Sequence, residues 1–219
     1  MTDPPDISGT SSSPNFPDKI QGKRRPMIVV LSGPSGVGKD AILERMAELK
    51  YPYHFVITAT TRKPRPGEVD GVNHYFVDRG RFQELIDSNE LLEHAEVYGN
   101  MYGVPKQQVR EALAAGRHVM IRVDVQGAAR IRQLVKDALL IFIKPPNLKS
   151  LQARLQDRGV DALEAITERR SKAIDEINDA EWFDVSIVNH NDQLDEAVRE
   201  VINVIDTESE RDSPRDFDL

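Results

Sequence analysis

A chain of 219 residues, 39% hydrophobic and 30% charged, can bury one sizeable core or two small ones and has the make-up of a soluble globular protein. It has no apolar run approaching the roughly 20 residues needed to cross a bilayer, no N-terminal apolar stretch for a secretory signal, and no cysteine for disulfide or thiolate chemistry, so the cytoplasm is the expected setting. A net charge of −7 argues against a general nucleic-acid binder and requires any anion site to be a local cluster of Arg and Lys.

Residues 1–25 are rich in Ser, Pro and Asp and poor in large apolar side chains, which predicts a disordered tail. Its end, Lys23-Arg24-Arg25, reads as a solvated linker. Met27-Ile28-Val29-Val30-Leu31 is uniformly apolar, the pattern of a strand buried on both faces of a parallel sheet. Gly33-Pro34-Ser35-Gly36-Val37-Gly38-Lys39 follows, and a helical pattern runs from Ala41 to Leu49. Strand, glycine-rich turn and helix form the context of a phosphate-binding loop. The glycines let backbone N–H groups point inward at an anion, the helix adds the positive end of its dipole, and Lys39 reaches the terminal phosphates of a nucleotide. The strict pattern ends in a Ser or Thr that holds Mg²⁺; here that position is Asp40. The plain alternative is a strand–helix turn whose Asp satisfies the helix dipole.

Between Val56 and Val104 the rhythm changes to short β-prone runs broken by Pro and Gly, which predicts an irregular antiparallel insert with one helix over Arg81–Asn89. Within it Arg62 and Arg65 flank Pro64 after three threonines. Two guanidiniums at a stiffened spacing can grip one phosphate, although a solvated basic turn would look the same. Further strands are expected at Val119–Val123, Ala138–Ile143 and Val185–Val188. Helices are expected at Lys106–Ala115, Gly127–Val135, Leu148–Gln156, Leu163–Asn178 and Gln193–Ile205. Alternating strands and helices predict an α/β fold, a three-layer sandwich around a parallel sheet. A loop for one nucleotide and an arginine pair for another is the layout of a nucleotide kinase.

At this point the chain resembles guanylate kinase, from about Pro26 to Ile205. The resemblance rests on the Gly33–Lys39 loop, on Thr60-Thr61-Arg62-Lys63-Pro64-Arg65-Pro66-Gly67-Glu68-Val69-Asp70-Gly71 and on Leu92-Glu93-His94-Ala95. It continues through Tyr98-Gly99-Asn100-Met101-Tyr102-Gly103 and Val123-Asp124-Val125-Gln126-Gly127-Ala128. It implies transfer of the γ-phosphate of ATP to GMP with Mg²⁺, with no nucleic acid, membrane or obligatory protein partner. It also implies a P-loop core over 26–56 and 105–206, a mixed β-rich GMP-binding insert over 57–104 and a small helical lid over about 150–170, and composition adds a disordered acidic tail over 207–219. ATP would be held by Gly33, Pro34, Ser35, Gly36, Val37, Gly38, Lys39 and Asp40. The GMP phosphate would be held by Arg62, Arg65 and Tyr102, with His74 where the family usually has a tyrosine. Glu93 would accept hydrogen bonds from guanine N1–H and its amine, Thr58 would offer a hydroxyl, and Asp124 would lie near base and metal. Arg154, Arg158 and Arg169 would be the lid arginines, catalytic together with Lys39 and Arg62.

The chain departs from the family at Asp40, His74, Val104 and Arg122. Val104 stands where a Ser or Thr helps to read guanine, and Arg122 where the family has an acid. An added acid at 40 and an exchanged charge at 122 suggest an ion pair; the alternative is that Asp40 ligates Mg²⁺ and Arg122 turns to a phosphate. Two other functions remain open on sequence, a non-catalytic binding module of this family and a kinase of a phosphorylated ribose.

Overall fold

The computed structural model describes residues 25–157 and 173–210. Two sheets carry the fold. The larger has five parallel strands in the order β2-β7-β1-β8-β9: β1 (Ile28–Ser32), β2 (His54–Phe55), β7 (Val119–Arg122), β8 (Leu139–Lys144) and β9 (Val185–Val188). The smaller has the order β4-β3-β6-β5: β3 (Ala59–Thr60), β4 (Tyr75–Phe76), β5 (Leu91–Val97) and β6 (Asn100–Pro105).

The uniform apolarity of β1 has the expected cause. Val29 and Leu31 pack into one core with Ile42 and Met46 of α1 (Lys39–Glu48), and with Val198, Val201 and Ile205 of α6 (Leu194–Ser209). Ile28 and Val30 pack into a second core with Val109 of α3 (Lys106–Ala114) and Ala128 and Ile131 of α4 (Val125–Leu134). All four β1 side chains are fully buried, each contributing about 2 kcal/mol from lost apolar surface. Helices on both faces are what a parallel sheet requires, because every crossover must return over a face. Arg45 ties α1 to α6 through Asp195, at 2.7 Å from Nε and 3.3 Å from Nη2.

The insert is mixed and not purely antiparallel. β5 and β6 form a hairpin and β3 pairs antiparallel with β6, but β3 and β4 are parallel. The long connection that carries Pro64, Pro66 and two glycines returns the chain beside β3 in the same direction. The helix of the insert, α2 (Arg79–Asp87), begins earlier than its apolar pattern because Asp78 accepts from Arg81 N at 2.7 Å. Phe82 of α2, with Ala59 and Leu91, forms a small core of the insert.

The last helix runs further than expected. α6 continues to Ser209, since Ala197, Val198, Val201, Ile202 and Ile205 repeat at helical spacing on one buried face and carry the next turn with them. The described part of the expected lid is α5 (Leu148–Asp157). Arg158, Arg169 and the first part of the helix expected over Leu163–Asn178 lie outside the described residues, as do both chain ends; residues 173–178 are helical.

Candidate functional site

A cleft of about 610 Å³ is lined by residues of both sheets. That volume suits a small-molecule site. One end is the loop from Gly33 to Lys39. Gly33 has φ 138°, and a Cβ there would lie 2.4 Å from the Ile143 carbonyl oxygen. Gly38 has φ 102°, and a Cβ there would lie 2.3 Å from Asn189 Nδ2. Glycine is therefore required by both the backbone and its neighbours. Gly38 precedes α1 without a side-chain cap, so the first N–H groups of that helix are left for another acceptor.

The loop is fastened from behind. Asn189 Nδ2 donates to the Val37 carbonyl at 2.8 Å, and Arg154 Nη1 donates to the same oxygen at 3.0 Å. Arg154 Nη2 also donates to the Asn189 carbonyl at 2.9 Å and to Asn191 Oδ1 at 2.7 Å. Arg154 thus lies at the back of the loop, and it is Val37, not Arg154, that belongs to the cleft wall. Lys39 Nζ donates to the carbonyls of Gly33 at 2.5 Å and Pro34 at 3.1 Å. Burial lowers its pKa to about 8, against the opposing pull of Asp40 and Glu176.

The other end belongs to the insert. Thr60 Oγ1 donates to the Met101 carbonyl at 2.9 Å and Met101 N donates to Thr61 Oγ1 at 2.9 Å, so these two threonines sew the end of β3 to β6. That fixes the backbone from which Arg62 springs. Arg62 binds Glu68 through both carboxylate oxygens, at 2.8 and 2.9 Å, and its guanidinium carbon stands 5.6 Å from the centre of the Phe76 ring. Glu68 also accepts from Arg65 N at 2.6 Å. The Arg62 guanidinium holds Glu68 down at about 2. Arg65 is exposed at the mouth of the cleft, and Tyr102 of β6 lies beside both Arg62 and His74, its ring 6.1 Å from the His74 ring.

Glu93 sits in β5 with only 4% of its surface exposed. It abuts the start of α4, where a Cβ on Gly127 would come within 3.0 Å of its Oε1. Its ionic partner is Arg130, at 3.4 Å. Burial outweighs that long contact and raises Glu93 to about 7. Asp124 Oδ1 accepts from Gly127 N at 2.9 Å, so the residue caps α4 while lining the same cleft. Val104 stands opposite Glu93 in the β5–β6 register and is fully buried in the second core, which gives its methyls an apolar home.

Asp40 and Arg122 meet: Nη1 of Arg122 donates to Asp40 Oδ1. The expected ion pair is therefore present. Arg122 Nη2 lies 3.2 Å from His74 Nε2, and His74 Nδ1 lies 2.8 Å from Thr58 Oγ1. Burial first and the Arg122 charge second lower His74 to about 4, so its ring is neutral near pH 7.

Most of the residues expected from the sequence meet in one cleft, with supports that no expectation named. Glu68 lies inside the Thr60–Gly71 stretch, and its place three residues after Arg65 was the available signal. Glu176, which lines the cleft beside Lys39, and Asn189, which holds the loop, carried no local signal.

Comparison with known proteins agrees with this architecture. The guanylate kinase family model matches residues 23–208. Guanylate kinase from Latilactobacillus sakei is 42% identical over 84% of this chain and 90% of its own length. The chloroplastic/mitochondrial guanylate kinase 2 of rice is 43% identical over 84% of this chain, which spans 65% of that longer protein. The crystal structure of guanylate kinase from Anaplasma phagocytophilum aligns with a TM-score of 0.71 at 31% identity, covering 86% of this chain and 89% of that one. With the match spanning both sheets and the Gly33–Lys39 loop, the chain belongs to the guanylate kinase family.

Proposed function

We propose that the cleft transfers the γ-phosphate of ATP to GMP, giving ADP and GDP. The observation that carries this reading is the placement of a buried carboxylate, Glu93, in the same cleft as Lys39, Arg62 and Arg65. A buried carboxylate accepts from the N1–H and amine of guanine; adenine offers no such pair of donors on that edge, and the acid would be left unpaired. Arg65 and Tyr102 grip the GMP phosphate together with Arg62, which Glu68 holds in place. The loop from Gly33 to Asp40 takes the ATP phosphates.

The chemistry asks little of side chains. A GMP phosphate oxygen is already anionic, so no general base is needed, and catalysis consists of alignment and charge neutralisation. Lys39 moves from the two loop carbonyls it donates to, those of Gly33 and Pro34, to the incoming phosphates, an exchange of acceptors. We assign Arg154 to holding the loop in shape, since its three bonds fasten Val37 to the segment around Asn189. Arg158 and Arg169, as lid arginines, remain with the residues outside the described ones.

Mg²⁺ fits the donors at hand. It takes hard oxygens, commonly one or two carboxylates plus phosphates, and Asp124 lines the cleft as the carboxylate for it, Asp40 being paired with Arg122. Among the described residues no group of three acidic, His or Cys side chains could hold a metal alone. The ion would supply charge neutralisation between the phosphates. Among the described residues no helix is long and apolar enough to cross a membrane; we place the enzyme in the cytoplasm on the sequence argument alone.

An ADP-release assay with ATP and GMP, AMP, UMP or ribose phosphates tests the reading. Turnover with GMP and little with AMP is expected. Binding of GMP without turnover would mean an interaction module, and turnover of a ribose phosphate in place of GMP would mean a different kinase.

A further inference from the structure

Arg122 is shared between the two ends of the cleft. It ends β7, in the core sheet, and donates on one side to Asp40 in the first turn of α1 and on the other to His74 in the insert. A guanidinium has five N–H donors and no acceptor. His74 Nε2 must therefore accept, which puts the ring proton on Nδ1, and that N–H donates to Thr58 Oγ1. His74 is 7% exposed and wedged edge-on between Phe76 and Tyr102, at 5.6 and 6.1 Å, so it is a rigid stop for the guanidinium. The remaining three N–H groups of Arg122 have no acceptor among the described residues, and the side chain lines the cleft.

Its place along the cleft is specific. Asp40 follows Lys39, the position at which a phosphate-binding loop normally sets a hydroxyl beside the metal at the terminal phosphates. His74 adjoins the Arg62 and Glu68 cluster. Arg122 thus stands between the loop assigned above to the donor phosphates and the Arg62 cluster assigned to the acceptor phosphate.

We infer that Arg122 is a catalytic residue of the transfer step, a fixed cation that contacts the transferred phosphoryl group, with Asp40 and His74 as the residues that position it. The inference rests on the kinase reading above. In the step, an oxygen of the GMP phosphate forms a bond to the γ-phosphorus, the bond to the bridging oxygen of ADP breaks, and ADP leaves with the electron pair. No proton moves through Arg122, which stays charged throughout. Its N–H groups meet the charge spread over the equatorial oxygens.

The test uses the full-length protein and three variants: Arg122→Gln, Arg122→Lys, and Arg122→Gln combined with Asp40→Ser. Serine restores the hydroxyl of the strict loop pattern, so the double variant removes the acid as well as the base. Arg122→Gln should lower kcat at least about 100-fold, the size seen when one stabilising donor is lost, with KM for ATP and GMP changed less than about threefold. Arg122→Lys, which keeps the charge but not the fork, should recover only part of it. The double variant should remain slow. A dinucleotide in which adenosine and guanosine are joined by a polyphosphate should bind the Gln variant at least tenfold more weakly by calorimetry, while GMP alone binds as before. Normal kcat in Arg122→Gln, or recovery in the double variant, overturns the inference: Arg122 would then do no more than neutralise Asp40. If the Gln variant does not fold, the Lys variant decides, and unchanged kcat there overturns it equally. Wild-type protein that fails to phosphorylate GMP refutes the kinase reading itself and is seen before any variant is made.

Discussion

Replacing Glu93 by glutamine should stabilise the protein at alkaline pH while loosening its hold on GMP. The carboxyl is 4% exposed, its only described cationic partner is 3.4 Å away, and burial raises it from 4.5 to about 7. Below pH 4.5 both folded and unfolded chains carry the proton and the group costs nothing. Between 4.5 and about 7 the folded chain holds a proton that the unfolded chain releases, so stability falls as pH rises. Above 7 the whole cost stands, about 3 kcal/mol at 1.36 kcal/mol per pH unit. Glutamine carries no such cost. Thermal melts without nucleotide should coincide at pH 4.5 and separate at pH 8.5, the variant melting higher by about 6–12 °C for a domain of this size. The same substitution turns an acceptor toward guanine donors, and GMP affinity should fall about 100-fold, the equivalent of about 3 kcal/mol for an unmatched buried group. Melting curves that shift equally at both pH values would refute the reasoning, because the effect would then not come from ionising Glu93.

In the wild type, GMP affinity should rise with pH through about 7, as the ionised form of Glu93 becomes the resting one; calorimetry from pH 5.5 to 8.5 would read a flat profile if the carboxylate did not face the base. Glu68→Gln removes the bidentate partner of Arg62 and should raise KM for GMP about tenfold with kcat less affected; an unchanged KM would show that Arg62 needs no such support. Gly38→Ala forces a side chain into the left-handed region and against Asn189, so it should cost at least about 2 kcal/mol in denaturant melts. Gly116→Ala has φ 70° but open space around it and should cost about 1 kcal/mol; equal effects would mean that Asn189 yields. A protein ending at Glu210 should melt within about 3 °C of full length, whereas one ending at Glu200 loses Val201, Ile202 and Ile205 from the core and should not fold. A stable protein from the shorter chain would contradict the role given to α6.

Patterns that depend on neighbours in the chain were determined by the sequence alone. The apolar run of β1, the glycines and lysine of the loop, the alternation of strands and helices, and the spacing of Arg62 from Arg65 each follow from backbone geometry within a few residues. The pairing of Asp40 with Arg122 was also readable, because an acid gained at one position and an acid exchanged for a base at the other, both against the family pattern, point to one contact. Contacts between distant segments were decided only by the tertiary structure. β2 is two residues long and exists because β7 offers it an edge. The parallel pairing of β3 and β4 depends on how the intervening loop returns. Arg154 lies on a helix face that sequence cannot aim, and the carbonyls of Val37 and Asn189 draw it behind the loop. Burial of Glu93 depends on Gly127, more than thirty residues away, leaving room for a carboxylate against α4. In each case the free energy lies in desolvation and in pairing across the fold, which no local pattern encodes.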